Sequence, residues 1–227
     1  MKHLVVLTGA GVSAESGINT FRDANGLWEG HDVMEVATPE GFAANPELVL
    51  NFYNQRRKQL FEVEPNQAHF DLAELENDFK VSIITQNVDD LHERAGSSNV
   101  IHLHGELRKV KSCFDENDIM PWENDIFLGD LCKKGHQLRP HIVWFEEAVP
   151  MMDKAIDICE TADILMIIGT SMQVYPAAGL KDYVPDNTPT YFIDPKPNIS
   201  SRKNLIVMAE TATVGVRKLM PILKANH

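Results

Sequence analysis

The chain has 227 residues, 44% hydrophobic and 24% charged, enough for one substantial domain with an insertion and a sizeable core. Its net charge of −12, from 33 acidic residues against 21 Lys and Arg, argues against a nucleic-acid partner held through phosphates and against adhesion to an anionic membrane. No apolar run reaches membrane-spanning length, and three widely spaced cysteines (Cys113, Cys132, Cys159) make no disulfide framework, so the reading is a cytoplasmic protein.

Leu4-Val5-Val6-Leu7 is brief and β-branched, which predicts a buried parallel strand. Thr8-Gly9-Ala10-Gly11 follows as a tight turn in which neither glycine carries a Cβ to block a ligand. Ser13-Ala14-Glu15-Ser16 is predicted to open a helix whose unpaired N–H groups and positive end face that ligand. Strand, glycine turn and helix start together read as a cradle for a diphosphate, with Ala14 at the third small position of the dinucleotide pattern. The bland alternative is a Gly-rich turn of an ordinary α/β protein.

Residues 23–30 read as a loop over that site, pinned by Leu27 and Trp28. Thr38-Pro39-Glu40 and Asn45-Pro46-Glu47 are helix starts with Pro at the first helical position, the second opening an amphipathic helix over 47–61. A further helix spans 67–77, with His69 read as a core histidine bonded to a backbone carbonyl. Strands are predicted at 81–85 and 100–104. The charged, irregular interval 106–140 reads as an inserted module around Trp122, Ile126, Phe127, Leu128 and Leu131. The α/β pattern resumes at 141–145, followed by a helix near 152–161, strands at 164–168 and 190–193, and a helix over 214–224 that Pro221 bends or breaks. Helix and strand alternate, which predicts an α/β fold: a Rossmann-like parallel sheet with helices on both faces plus a small inserted domain. Residues 1–30, 66–106 and 140–227 would form the larger domain. Residues 31–65 and 107–139 would form the smaller one.

Thr85-Gln86-Asn87-Val88-Asp89 ends a strand where open parallel sheets bind ligands, and its amide and carboxylate suit a carboxamide and a water. An Asx capping turn is the competing explanation. His104-Gly105 places an imidazole at the next strand end, suited to general-base work near neutral pH. His102 is assigned to the opposite face of that strand and to a structural role, as is His92. Gly169-Thr170-Ser171 ends the most apolar strand and suits ribose and phosphate contacts. Asp194 ends another strand, where an acid can accept both hydroxyls of a ribose and repel a 2′-phosphate. Tyr53 and Arg56 share one helix face, a geometry that suits bidentate capture of a carboxylate, although Arg57 and Lys58 next to them also fit a solvated basic face.

Four of these runs, in order, resemble one family. Gly9-Ala10-Gly11-Val12-Ser13-Ala14-Glu15-Ser16-Gly17-Ile18 with Phe21-Arg22 resembles the cofactor signature of the sirtuins, NAD-dependent protein lysine deacylases. Gln86-Asn87-Val88-Asp89, His104-Gly105 and Gly169-Thr170-Ser171 match further motifs, and the likeness extends from Leu4 to the last helix. The resemblance implies NAD as cofactor, with Ser13, Ile18, Asn87 and Asp89 around nicotinamide and Gln86 on the adjoining ribose. Asp194, which stands where relatives carry Asn, would meet the adenosine ribose, and Ala212 with Thr213 would lie near the adenine. His104 would be the base. Acyl oxygen would attack the ribose carbon bearing nicotinamide, the bond being weakened by the pocket around Asn87 and Asp89, to give nicotinamide, free lysine and O-acyl-ADP-ribose.

Val143-Trp144-Phe145-Glu146-Glu147 and Val174-Tyr175-Pro176 resemble the two segments that clamp an acyl-lysine peptide by strand addition. Glu146 replaces the family's usual Gly, which leaves the backbone bonds available but alters loop shape. Phe52-Tyr53-Asn54-Gln55-Arg56 resembles the Tyr-x-x-Arg motif of family members that remove succinyl and malonyl groups. Zinc is not expected: many relatives hold it with two Cys-x-x-Cys pairs, whereas Cys113 and Cys132, even with Asp115 and His136, lack that spacing. The module is read as a degenerate zinc-ribbon held by its own apolar cluster. Two alternatives stay open, a sirtuin-like NADase and a non-catalytic NAD-sensing module.

Overall fold

The computed structural model describes residues 1–19 and 27–226; Phe21, Arg22 and half of the loop expected at 23–30 lie outside them. In chain order come β1 (His3–Thr8), β2 (Leu27–Trp28), β3 (His31–Asp32), α1 (Val33–Val36), α2 (Pro39–Ala44), α3 (Pro46–Glu62), α4 (Gln67–Glu74), β4 (Lys80–Thr85), α5 (Leu91–Arg94) and β5 (Val100–His102). Then follow β6 (Gly105–Ser112), β7 (Ile119–Pro121), β8 (Leu138–Ile142), α6 (Met152–Cys159), β9 (Ile164–Ile168), β10 (Thr190–Ile193), β11 (Leu205–Met208) and α7 (Ala212–Asn226).

Six strands form one parallel sheet in the order β11-β10-β9-β1-β4-β5. β1 is buried along its whole length because it is covered on both faces and flanked on both edges. Leu4 and Val6 face a core shared with α4 and α7, through Leu72, Val216, Leu219 and Leu223. Val5 and Leu7 face the opposite layer, where α6 contributes Ala155 and Cys159. Helices therefore cover both faces, and period-two alternation along the apolar run Leu4–Leu7 feeds two cores at once. α7 runs on through Pro221 rather than stopping at it.

Two expectations fail after β5. Residues 105–142 are irregular only in part: β6, β7 and β8 form an antiparallel sheet in the order β7-β6-β8, while 122–137 lie outside its strands. The segment at 141–145 does not rejoin the parallel sheet, since β8 pairs with β6 and the chain then turns away. The cause is Gly105, whose φ of 82° turns the chain out of β5 direction, and a Cβ there would strike the His141 carbonyl. Nor does this small sheet rest on a private cluster. Val110, Ile126, Cys132 and Leu138 pack on Leu50 of α3, while Phe127, Leu128 and Leu131 are exposed.

α3 begins as its sequence predicts, with Pro46 in the first turn and the Asn45 side chain accepting the Leu48 N–H. It then docks the small sheet through polar groups. The Asn54 amide pairs both ways with the backbone of Ile126, at 2.9 Å each. Arg57 is 1% exposed; its Nε donates to the Leu107 carbonyl at 2.8 Å and its Nη1 to Asn54 and the Asn124 carbonyl. Burial lowers its pKa to about 10, so the guanidinium stays charged at pH 7. Arg57 is thus a core strut and not part of a solvated basic face. Arg57→Ala should destabilise the fold by about 3 kcal/mol in urea titration, because it leaves buried carbonyls unpaired. Lys58→Ala, which removes only an exposed ion pair to Asp125, should cost less than about 0.5 kcal/mol.

Candidate functional site

The tips of β1 and β9 meet backbone to backbone. Gly9 N–H donates to the Ile168 carbonyl at 3.1 Å and Gly11 N–H to the Gly169 carbonyl at 2.8 Å. A Cβ on Gly9 would lie 2.7 Å from Thr170 Cβ, and one on Gly11 would lie 2.6 Å from Gly169 Cα. The glycines are needed first for this contact between two turns, a stronger demand than room for a ligand. The helix expected from Ser13 does not form. Two single 3-10 turns, Ala10–Val12 and Ala14–Ser16, end at Gly17 with φ 96°. Glu15 instead caps α7, accepting the Thr213 N–H at 3.0 Å and its hydroxyl at 2.8 Å, so the positive end of that helix already has an acid. Ala212, the first residue of α7, is buried in the core.

At the tip of β4 the polar side chains form a relay. Asn87 Nδ2 donates to Ser13 Oγ at 3.1 Å, and Ser13 donates to Asp89 Oδ2 at 3.0 Å. The other Asp89 oxygen accepts the Leu91 N–H, and burial raises the carboxyl pKa against these bonds. Gln86 is tied to the glycine turns twice, by its N–H to the Thr8 carbonyl and by Nε2 to Thr170 Oγ1 at 3.1 Å. Val88 adds its carbonyl to Leu107 N–H and, with Ile18, packs beside Tyr53 and Trp144. Ser171 follows Thr170 half-buried, and Asp194 is buried at the end of β10 with Oδ1 accepting the Lys196 N–H.

His102 and His104 are two residues apart, so strand alternation would give them the same face, not opposite ones. What separates them is the end of β5 at His102. His102 Nδ1 bonds the Asn87 carbonyl and its Nε2 bonds Glu93 at 2.7 Å. Burial alone would lower its pKa, but Glu93 outweighs that and raises it. His104 Nδ1 lies 3.0 Å from the Gln86 carbonyl. A carbonyl only accepts, so Nδ1 carries the proton and Nε2 keeps its lone pair. Burial, opposed by that bond, lowers the pKa. His104 therefore presents a neutral imidazole with an oriented Nε2 lone pair. His92, buried against Thr8, and His69, which accepts the Asn66 N–H rather than donating to a carbonyl, are structural.

In the 143–147 segment, the amides of Val143, Trp144 and Phe145 are already bonded, to the His104 carbonyl, Glu147 and the Ala37 carbonyl. Fewer backbone groups are thus open for strand addition than the sequence suggests. Phe145 and Val174 are each 42% exposed. Glu146 has φ 72°, a left-handed conformation that glycine adopts without strain. Tyr53 is fully buried and its hydroxyl accepts the Trp144 indole N–H at 3.0 Å. Three residues on, the half-buried Arg56 guanidinium lies 5.2 Å from the Phe52 ring centre, and its buried Nε has no partner among the described residues. Trp144 is a contact that spacing could not reveal, because it comes from a turn 91 residues away.

The groups conceivable for zinc are engaged otherwise: Cys132 with Ser112, Asp115 with Lys134, and His136 stacked on Phe114. They do not fit a tetrahedral site, and no cluster of three or more His, Cys, Asp or Glu groups suited to a metal occurs among the described residues. No helix among the described residues is long and apolar enough to cross a membrane.

Residues 9–176 match the model of the Sir2 family. An NAD-dependent protein deacylase of Helicobacter pylori is 59% identical over 224 residues, covering 98% of both chains. One from Bacteroides thetaiotaomicron is 56% identical over 230 residues, again at 98% of both. Among solved structures, a Sir2 homolog in complex with NAD superposes with a TM-score of 0.87 at 42% identity, covering 99% of this chain and 90% of the other. A more distant Sir2 structure, with a deacetylated peptide and 3′-O-acetyl ADP-ribose, gives 0.83 at 28% identity over 96% and 92%.

An NMR titration of the His104 ring should give a midpoint below 6.5, so that Nε2 stays unprotonated at neutral pH and fills only as pH falls through the lowered pKa. Glu146→Gly should leave the melting temperature unchanged or raise it, since relief of a left-handed non-glycine conformation, about 1 kcal/mol, offsets the entropy lost on ordering glycine.

Proposed function

The chain belongs to the Sir2 family and is an NAD-dependent protein deacylase, and from that premise we propose that it removes acidic acyl groups, succinyl and malonyl, from protein lysines in preference to acetyl. The observation that carries this is Arg56. In a chain with an excess of 12 negative charges, its half-buried guanidinium has no carboxylate partner among the described residues. An unpaired, partly desolvated cation is costly, and it is offset when a ligand carboxylate arrives. Tyr53, one helical turn away, adds a phenol whose hydrogen has no acceptor among the described residues.

The donor set suits NAD. Buried Ser13, Asn87 and Asp89 form a hydrogen-bonded set of hydroxyl, amide and carboxyl groups suited to nicotinamide. Gln86, Thr170, Ser171 and Asp194 stand at neighbouring strand tips, suited to ribose hydroxyls. Following the family resemblance, the phosphates are assigned to the turns around Gly9, Ala10, Gly11 and Gly169, none of which carries a side chain larger than a methyl. When bound, NAD supplies the departing nicotinamide and the ribose that carries the acyl group away as O-acyl-ADP-ribose. His104 takes a proton from a ribose hydroxyl at Nε2, while its Nδ1 bond to Gln86 prevents the ring from turning. Val143, Phe145, Glu146 and Val174 flank the entry of the acyl-lysine peptide.

Nicotinamide release should be followed with NAD and matched acetyl-, malonyl- and succinyl-lysine peptides. Arg56→Met should lower the succinyl-to-acetyl ratio of kcat/KM by about tenfold to a hundredfold, the worth of a charge-assisted pair of hydrogen bonds. An equal loss on both substrates would refute the acyl preference. Cofactor consumption with no acylated peptide present would favour the NADase alternative.

A further inference from the structure

Tyr53 has to be aimed if its phenol is to meet an acyl carboxylate, and the geometry points to Trp144 as the positioning residue. We propose that the Trp144 indole N–H, by donating to Tyr53 Oη, turns the phenolic proton towards the acyl chain and so helps set acyl preference; this rests on the acidic-acyl reading above.

The indole N–H lies 3.0 Å from Oη, and the two residues are 3% and 0% exposed. A phenol oxygen that accepts one hydrogen bond cannot direct its own proton back along it, so the remaining O–H must point elsewhere. No described residue accepts that proton. Burial raises the phenol pKa strongly, so the group is a donor at every working pH. A buried donor kept without an acceptor is a cost to the empty protein that a ligand carboxylate would remove.

Trp144 is itself held from three sides. Its backbone N–H donates to Glu147 Oε2 at 2.8 Å. Arg139 Nη2 reaches both Glu147 oxygens, at 2.6 and 2.9 Å, and its guanidinium lies 3.8 Å from the indole ring centre. Phe42 closes the third side with ring centres 5.2 Å apart. A cation over the indole face draws density from the ring and strengthens N–H donation. The Arg139–Glu147 pair therefore fixes the donor that fixes the phenol, a chain of contacts that ends in the helix carrying Arg56.

The test is to replace Trp144 by benzothienylalanine, which keeps the bicyclic shape with sulfur in place of the N–H; Trp144→Phe serves as a second variant should incorporation impair folding. Each is assayed for KM and kcat on succinyl- and acetyl-lysine peptides. The succinyl-to-acetyl ratio of kcat/KM should fall about tenfold, mainly through KM for the succinyl peptide, the scale of one hydrogen bond to a charged group. Tyr53→Phe should cause a similar loss, and combining it with the Trp144 replacement should add little, because both act through one hydroxyl. An unchanged ratio in the Trp144 variants beside a lowered ratio in Tyr53→Phe overturns the positioning role alone. Fully additive losses do the same. If neither Tyr53→Phe nor Arg56→Met alters the ratio, the acidic-acyl reading fails and takes this proposal with it.

Discussion

The contact between two glycine turns is the constraint from which the site is built. Gly11 and Gly169 touch with no side chain between them, and this brings the tips of β1 and β9 into one surface. Thr170 then stands within reach of Gln86, and Gln86 is bonded back to β1. Close-packed backbone of this kind tolerates no added carbon without displacing a strand end. Thr170 and, through it, Gln86 take their positions from the strand ends that this contact joins.

On that floor, hydrogen bonds determine what each side chain can do. Ser13 receives from Asn87 and gives to Asp89, so all three have defined directions. The consecutive carbonyls of Gln86 and Asn87 each take one imidazole, His104 and His102 respectively. Two similar histidines thereby acquire different characters. One has a carboxylate neighbour and a raised pKa, and the other has a free Nε2 and a lowered one. The difference is electrostatic and comes from Glu93.

Much of this was legible in the sequence. Apolar runs marked β1, β4, β9 and β10, and capping residues marked the starts of α2 and α3. β11, the edge strand Leu205–Met208, is apolar throughout, yet no strand is predicted there. The other failures came where local pattern had no vote. β6 and β8 are mixed in polarity, and their pairing is known only once Gly105 has turned the chain. The helix expected at Ser13 is pre-empted by Gly17 and by the tie from Ile18 N–H to Ser13. Arg57 looked like surface because its neighbours are charged, whereas its partners are carbonyls 50 and 67 residues away. Side-chain partners that distant leave no local trace.

β1 lies between β4 and β9, and Leu4 on one strand is matched to Ile164 on the other. A chain emerging from the ribosome can thus assemble the wall bearing Ser13, Asn87, Asp89 and His104 well before its counterpart at Gly169 has been synthesised. Closure of the first strand's second edge must wait until Ile164–Ile168 have been made, and long-range parallel pairing of this kind is slow. Until then the Gly9–Gly11 turn lacks the backbone against which it packs. The contact of Gly11 with Gly169 is therefore made only once β9 has joined the sheet.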